Sequence, residues 1–193
     1  MTFARNPLIF VDIETTGLDP SVHEIIEIAI LPLKGPVWQT KIKPEHLDQA
    51  SPKALEVNGY QDHPEDWESA PMFNDIAPDI ASRLKDTMIA GQNTQFDMNF
   101  IQRLFKRNDI PLKGVPYSWV DTVTLAYEHL VPLGIPDLKL QSICDFLGIP
   151  NDGQHTAAAD VYRTREAYLK MLRAGHLKRL WWRIRKLLRG ETK

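Results

Sequence analysis

The 193-residue sequence contains a single cysteine, no long apolar run and little net charge. Cys144 alone cannot form a disulfide within the chain, which favours a reducing environment. No apolar stretch approaches the roughly 20 residues that a membrane-spanning helix needs. The first apolar run, at residues 8–11, is also too short for the core of a signal peptide. These absences argue against a disulfide-stabilised secreted domain and an integral membrane protein, and we expect a cytoplasmic protein.

The net charge of −2 hides a strong asymmetry along the chain. Residues 173–193 contain eight basic residues and one acidic residue, so this segment carries +7 and the remainder of the chain carries −9. A carboxylate-rich body with a basic tail is a common way to combine metal binding with attraction to a polyanion. This charge pattern favours a protein that acts on nucleic acid.

The pattern of apolar residues predicts a mixed sheet covered by helices, in a chain long enough for one well-cored domain and an appendage. Strands are predicted at residues 8–13, 24–33, 37–42, 87–90 and 117–120, and helices at residues 51–58, 72–84, 96–105, 122–130, 138–147 and 156–173. The first three strands follow one another and predict an antiparallel meander, after which helices and strands alternate. We expect an α/β domain at residues 1–175 and a basic C-terminal helix at residues 176–193.

A pair of carboxylates ends the first predicted strand, in the motif Asp12-Ile13-Glu14. Side chains two residues apart on a strand project from the same face, so Asp12 and Glu14 lie together while Ile13 points into the core. Adjacent carboxylates repel each other, and a divalent cation is their natural partner. Taken alone, the motif is more typical of a solvated strand end.

Further candidate site residues follow later in the chain. Asp97 is expected in the first turn of a helix, where the helix dipole favours an anion, although such acids are common without a function. His155 and Asp160 are five residues apart, and they converge only if His155 lies in the loop before a helix that contains Asp160. The sequence 151–153 supplies such a loop, and Thr156 is suited to cap the helix.

In combination, these features have the composition that a two-metal site requires. Two divalent ions about 3.5–4 Å apart need roughly four carboxylates to hold them, with room left for a phosphate and a water molecule. An imidazole is suited to accept the proton of the attacking water, because imidazoles ordinarily titrate near neutral pH, and His155 is the candidate for this role. A lone histidine is more often structural, so His155 is a candidate catalytic residue only because the carboxylates accompany it.

The sequence resembles the DEDDh exonucleases, the family of the proofreading subunit of bacterial replicative polymerase, ribonuclease T, oligoribonuclease and exonuclease X. The resemblance covers about residues 6–173. Its motifs are VDIETTGL at residues 11–18, NTQFD at residues 93–97 and HTAAAD at residues 155–160. Residues 51–59 and 120–122 are similar to further segments of that family.

The resemblance implies a ribonuclease-H-like fold with a five-stranded sheet. It implies that two Mg²⁺ or Mn²⁺ ions bind to Asp12, Glu14, Asp97 and Asp160, and that His155 is the general base. The substrate-binding residues it suggests are Thr15, Gly17, Leu18, Asn93 and Phe96, although Phe96 also has the helical spacing of a core residue. Gln92 stands where the family frequently has histidine, which leaves a detail of terminal-nucleotide binding open.

Two other acidic residues have competing interpretations. Glu27 lies among apolar residues of the second predicted strand, and Asp121 ends a later one. Both are suited to positioning the metal-binding carboxylates without binding the metal themselves. We favour solvated or helix-capping roles for both.

Residues 176–193 predict an amphipathic helix, because apolar residues recur at helical spacing with basic residues mostly off that stripe. Three interpretations remain. The helix docks on the domain or on a second copy of the chain, which makes a homodimer a candidate. Alternatively it grips nucleic acid, with Trp182 free to stack on a base. A membrane-surface helix ranks last.

We therefore predict a metal-dependent 3′→5′ exonuclease that releases nucleoside 5′-monophosphates from single-stranded nucleic-acid ends, with DNA favoured over RNA. The principal alternative is an RNA 3′ exonuclease similar to oligoribonuclease or ribonuclease T. An endonuclease on the same fold and a non-catalytic nucleic-acid-binding module are the two further candidates.

Overall fold

A five-stranded mixed sheet forms the centre of the molecule, in a computed structural model that describes residues 6–151 and 155–188, with side chains described as far as Arg173. The strands are β1 (Leu8–Thr15), β2 (Ile25–Pro32), β3 (Trp38–Lys41), β4 (Met88–Gly91) and β5 (Val120–Asp121). Their order across the sheet is β3-β2-β1-β4-β5. The meander β1-β2-β3 is antiparallel, whereas β4 and β5 run parallel to β1. The predicted mixed five-stranded sheet is confirmed.

Seven helices accompany the sheet in the described part of the chain. They are α1 (Pro52–Val57), α2 (Glu65–Glu68), α3 (Phe73–Leu84), α4 (Thr94–Arg107), α5 (Thr122–Leu130), α6 (Leu140–Leu147) and α7 (Ala157–Leu188). Two short 3-10 turns, Leu47–Gln49 and Val131–Leu133, complete the secondary structure. None of the helices described is long and apolar enough to cross a membrane.

Strand β1 is buried because apolar side chains leave it on both faces. Ile9, Val11 and Ile13 join one core cluster, which also contains the inward side chains of α3 and α4. Phe10 belongs to another cluster on the opposite face, where α7 contributes Val161. The alternation of a strand sends Asp12 to the same face as Phe10. The two carboxylates of β1 therefore face the helix that carries the last acidic motif.

Two elements differ in extent from the sequence-based expectation, and helix α2 (Glu65–Glu68) was not expected at all. The strand predicted at residues 117–120 was wrong in extent, because β5 begins only at Val120 and has two residues. Tyr117 follows Pro116 and is 91% exposed, so it is not part of the sheet. Helix α7 also continues without interruption past Arg173 to Leu188. The backbone of the expected basic helix up to Leu188 is thus the end of α7, and residues 189–193 lie outside the described residues.

Candidate active site

Three carboxylates meet at the carboxyl-terminal end of β1. Asp12 and Glu14 lie on the strand, and Asp160 lies in the first turn of α7. One oxygen of each side chain lies within 4.8 Å of the other two. Helix α7 packs across β1 and β2, which is why an acid from its first turn reaches the strand. The structure thus brings together residues that are almost 150 positions apart in sequence.

Asp97 reaches the same strand from the start of another helix. It lies in the first turn of α4, is 3% exposed, and accepts a hydrogen bond at Oδ1 from the backbone N–H of Ile13 at 3.2 Å. Because Ile13 separates Asp12 from Glu14, this bond anchors α4 between the two carboxylates. Asp97 is not one of the three residues whose oxygens cluster within 4.8 Å.

The carboxylates are concentrated in a poorly solvated place, and their pKa values rise accordingly. Burial raises the pKa of Glu14 from 4.5 to about 8, with further contributions from Asp160, Glu27 and Asp97. Burial also raises the pKa of Asp12 well above its ordinary value, and Asp97 and Glu14 add to the rise. The pKa of Asp97 shifts in the same direction, mainly through burial. Such a site favours protons or a bound cation over bare negative charges.

His155 lies just before α7 and turns back towards its first turn. Its Nδ1 is 3.4 Å from Oδ2 of Asp160, and half of its side chain is exposed. The N-terminus of α7 is capped as expected, because the backbone N–H of Ala159 donates to Oγ1 of Thr156 at 3.2 Å. His155 therefore converges with Asp160 in the manner that the loop-then-helix interpretation requires. Residues 152 and 153 of the expected loop lie outside the described residues.

Arg163 is a component of the site that the sequence interpretation missed. Its guanidinium donates to Oδ1 of Asp160 at 2.6 Å, and the arginine side chain is only 8% exposed. The spacing of three residues on a helix was the available signal, because side chains at i and i+3 are neighbours. That spacing alone does not reveal that both partners are buried.

Glu27 occupies the place directly opposite Glu14 in the β1–β2 register. It is 7% exposed and accepts hydrogen bonds from the backbone N–H groups of Ala157 and Ala158. Burial raises the pKa of Glu27, although Lys41 and these hydrogen bonds oppose the rise. The carboxylate therefore caps α7 and fixes the start of the helix that carries Asp160. The interpretation of Glu27 as a helix-capping residue agrees with this geometry.

Asp121 caps two helices at once. It accepts hydrogen bonds from the backbone N–H groups of Asn93 at 3.2 Å, Thr94 at 3.1 Å and Val123 at 2.8 Å. The first two donors lie at the start of α4, and the third lies at the start of α5. Asp121 thus holds the first turn of α4, which carries Asp97, in place against β5.

An apolar groove of about 370 Å³ opens beside Glu14. Leu18, which is 81% exposed, and Phe96 line it together with Thr15 and Val57. Three of the expected substrate-binding residues, Thr15, Leu18 and Phe96, therefore share one groove. Helix α1 also contributes to this groove, which gives a structural place to the family similarity of residues 51–59.

Gly17 and Asn93 have a different placement, since neither lines this groove among the residues described. Gly17 lies against the imidazole of His23, so that a Cβ at Gly17 would overlap the ring. Asn93 is exposed and adopts a left-handed conformation, with φ of 61°, at the N-cap of α4.

Gln92 is tied into the scaffold on both sides of its amide. Its Nε2 donates to the carbonyl of Leu138 at 2.8 Å, and its Oε1 accepts from the hydroxyl of Thr122 at 2.5 Å. The amide thus links the end of β4 to α5 and to the segment before α6. A histidine at this position has a different set of donors and acceptors, so the departure from the family pattern is accompanied by a structural role.

Comparison with known proteins gives a consistent result. The family model described as Exonuclease (RNase_T) matches residues 9–168. The chain is 29% identical over 177 residues to a DNA polymerase III PolC-type of Thermotoga maritima, an alignment that covers 89% of this chain and 12% of that protein. It is 28% identical over 183 residues to ribonuclease T of Marinobacter nauticus, covering 83% of this chain and 79% of that protein.

Among solved structures, a zinc-bound complex of E. coli ExoI with single-stranded DNA superposes with a TM-score of 0.74 and 25% sequence identity. The match covers 86% of this chain and 40% of that chain. The chain therefore spans about an eighth of the PolC-type relative and less than half of the ExoI chain. The similar fold and the matched family model extend over the whole carboxylate site.

Proposed function

Because the chain belongs to the exonuclease family whose model matches residues 9–168, we propose that it is a metal-dependent 3′→5′ exonuclease acting on single-stranded nucleic-acid ends. One observation carries the proposal. Oxygens of Asp12, Glu14 and Asp160 lie within 4.8 Å of one another, and His155 stands 3.4 Å from Asp160. These residues provide hard oxygen ligands for a metal ion and an adjacent half-exposed base, which are the groups that a metal-assisted phosphodiester hydrolase requires.

The donor set fits Mg²⁺ or Mn²⁺. Both ions prefer carboxylate oxygens, and the raised pKa values of Asp12 and Glu14 reflect a scaffold that leaves their negative charge poorly compensated. Asp12, Glu14 and Asp160 would hold the metal, with Asp97 as the fourth carboxylate of a two-ion site. When bound, the ions would activate a water molecule and stabilise the charge that develops on the leaving 3′ oxygen.

His155 acts as the general base in this proposal. Its ring is half exposed, so it is accessible to a water molecule beside Asp160. The water oxygen bonds to phosphorus, His155 takes the water's proton, and the bond from phosphorus to the 3′ oxygen of the preceding nucleotide breaks. A nucleoside 5′-monophosphate leaves, and the shortened strand ends in a 3′-hydroxyl after the oxygen gains a proton from solvent. Asp160, whose Oδ2 lies 3.4 Å from Nδ1, orients the imidazole.

The apolar groove beside Glu14 is the proposed seat of the terminal nucleoside. Leu18 and Phe96 offer apolar surface for a base, and the groove adjoins the carboxylates, so a base placed there brings its phosphate towards them. Thr15, Gly17 and Asn93 complete the proposed contacts through the loop after β1 and the start of α4. An apolar groove is indifferent to base identity, which agrees with an enzyme that removes any nucleotide in turn.

We favour DNA over RNA as substrate. Support comes from the PolC-type DNA polymerase relative and from the ExoI complex with single-stranded DNA. The ribonuclease T relative supports the alternative, an RNA 3′ exonuclease. The two substrates differ by a 2′-hydroxyl, so equal strands of DNA and RNA distinguish them directly.

The basic segment at residues 176–193, whose described part is the end of α7, is proposed as an appendage of the exonuclease domain at residues 1–175. Docking on the domain or on a second copy is the first interpretation, and contact with nucleic acid is the second. If the segment grips nucleic acid, its deletion weakens substrate binding more at low salt than at high salt, because counter-ion release makes such contacts salt-dependent. If deleting the segment leaves substrate binding unchanged at both salt concentrations, contact between the segment and nucleic acid is excluded.

The proposed function is tested by presenting linear and circular single strands of DNA, and linear RNA of matched sequence, with Mg²⁺ or Mn²⁺. An exonuclease converts only the linear strands to mononucleotides, which chromatography identifies as 5′-monophosphates. Opening of the circle would instead assign an endonuclease. Failure to degrade any strand with either metal, while strands are still bound, would assign a non-catalytic binding module.

A further inference from the structure

A buried cation, Arg163, lies beside the carboxylate cluster. The charges that raise the pKa of Asp12 are all carboxylates, those of Asp97, Glu14, Asp160 and Glu27. Against this, the guanidinium of Arg163 contacts Oδ1 of Asp160 at 2.6 Å. On the apolar side, burial raises the pKa of the Cys144 thiol to about 11, while Arg163 opposes the rise and Asp160 adds to it. Arg163 therefore lies near both the carboxylate site and the buried Cys144.

The ion pair between Arg163 and Asp160 is unlike the surface pairs of the molecule. Lys53 and Glu56 have the same spacing of three residues, but their side chains are 75% and 63% exposed. Those of Arg163 and Asp160 are 8% and 15% exposed. Solvent screens the first pair and screens the second far less, so the charge of Arg163 acts on the Asp160 carboxylate with little screening.

The two carboxylate oxygens of Asp160 have different partners. Oδ1 faces Arg163, and Oδ2 faces His155 at 3.4 Å. A divalent ion held by Asp12, Glu14 and Asp160 would therefore share one carboxylate with a fixed positive charge. That charge reduces the negative potential available to the ion, and it also compensates Asp160 when no ion is bound.

We propose that Arg163 is a resident counter-ion of the metal centre, which stabilises the metal-free protein and lowers the affinity of the site for divalent ions. The proposal rests on the proposed function, because it takes the carboxylate site to be a metal site. Arg163 is a positioning residue in this account and touches no reacting atom. A purely orienting role, in which Arg163 only aims Asp160 at the ion, has the opposite consequence for metal affinity.

The sign of the change in metal affinity is therefore the test. Mn²⁺ binding to the full chain is measured by isothermal titration calorimetry for the wild type, Arg163→Gln and the charge-preserving Arg163→Lys. We expect Arg163→Gln to bind Mn²⁺ about threefold more tightly or better, because a full positive charge is removed from a poorly screened place. Arg163→Lys should remain close to the wild type. Weaker or unchanged Mn²⁺ binding by Arg163→Gln would overturn the proposal.

Thermal unfolding supplies a second readout. Arg163→Gln should have a lower Tm than the wild type in EDTA and a larger rise in Tm on saturation with Mn²⁺. A pair that only braces the helix would lower both values equally. If Arg163→Gln does not fold, Asp160→Asn is compared with the double variant Asp160→Asn/Arg163→Gln. The double variant should bind Mn²⁺ more tightly, and the reverse order would overturn the proposal.

The variant Asp12→Asn distinguishes a failure of the proposed metal site from a failure of the counter-ion proposal. If the wild type binds Mn²⁺ and Asp12→Asn does not, the metal centre stands and the Arg163 variants decide the counter-ion proposal alone. If neither the wild type nor Asp12→Asn binds Mn²⁺, the metal centre of the proposed function fails, and the role of Arg163 fails with it.

Discussion

Raising the pH from 5 to 8 in the presence of EDTA is expected to destabilise the folded protein. Burial and neighbouring carboxylates raise the pKa of Glu14 from 4.5 to about 8. Between those values the folded state holds a proton that the unfolded chain has released. Stability falls with rising pH wherever the folded state binds more protons, so the free energy of unfolding decreases across this window.

The magnitude follows from the two pKa values of Glu14. Each unit of difference between folded and unfolded states is worth about 1.4 kcal/mol, so the rise from 4.5 to about 8 corresponds to at most about 5 kcal/mol. The pKa of Asp12 shifts in the same direction. Folded domains typically have a free energy of unfolding of about 5–15 kcal/mol, so the metal-free protein should be only marginally stable at pH 8. In the proposed metal site a divalent ion would replace the proton, and its stabilising effect should therefore grow from pH 5 to pH 8.

Urea denaturation followed by tryptophan fluorescence, at unit steps of pH from 5 to 8, measures this effect with EDTA and with Mn²⁺. Glu14→Gln is the matched control, because it keeps the shape of the side chain and removes the titration. The variant in EDTA should show a shallower fall than the wild type. Stability that rises with pH in EDTA, or equal slopes for wild type and Glu14→Gln, would refute the electrostatic account of the site.

Three further perturbations test other parts of the structure. His155→Ala should lower the turnover number by a factor of about 10²–10⁴, because general base catalysis contributes that much. Binding of Mn²⁺, measured by calorimetry, should stay intact. An unchanged turnover number would show that His155 is not the general base. Gly17→Ala places a methyl group on the ring of His23, so either this ring or the loop after β1 must shift. KM for a short oligonucleotide should rise, and adding His23→Ala should lower KM part of the way back to the wild-type value. A KM that is unaffected in the single variant would show that this loop does not position substrate. Asp121→Ala leaves three backbone N–H groups without their acceptor and should cost about 1–3 kcal/mol of unfolding free energy in urea; a cost near zero would mean that water replaces the cap.

Much of the scaffold was predictable because its signals are local. Continuous apolar residues specify β1 and β2, and the spacing of Asp12 and Glu14 on a strand places them on one face without further information. The approach of His155 to Asp160 was also predictable, since Thr156 is a good helix cap and the two residues can meet only across a helix start. The family resemblance supplied the expectation that these local features belong to one site.

The remaining features depend on pairing between distant segments. The position of Glu27 opposite Glu14 is a property of the β1–β2 register, which the sequence of either strand alone does not determine. The burial of Arg163 depends on how α7 lies on the sheet, so its charge looked like one of many on a helix surface. Strand β5 has only two residues, and the apolar residues before it lie outside the sheet.

The carboxylates of β1 and α7 are proposed to remove nucleotides from a 3′ end. The most direct measurement is a gel time course on 5′-labelled single-stranded DNA with Mg²⁺, with EDTA, and with Asp12→Asn in place of the wild type. The account predicts a ladder that shortens one nucleotide at a time from the 3′ end, present only with metal and absent in the variant. A label released at once as a mononucleotide, or an undiminished ladder from purified Asp12→Asn, would contradict it.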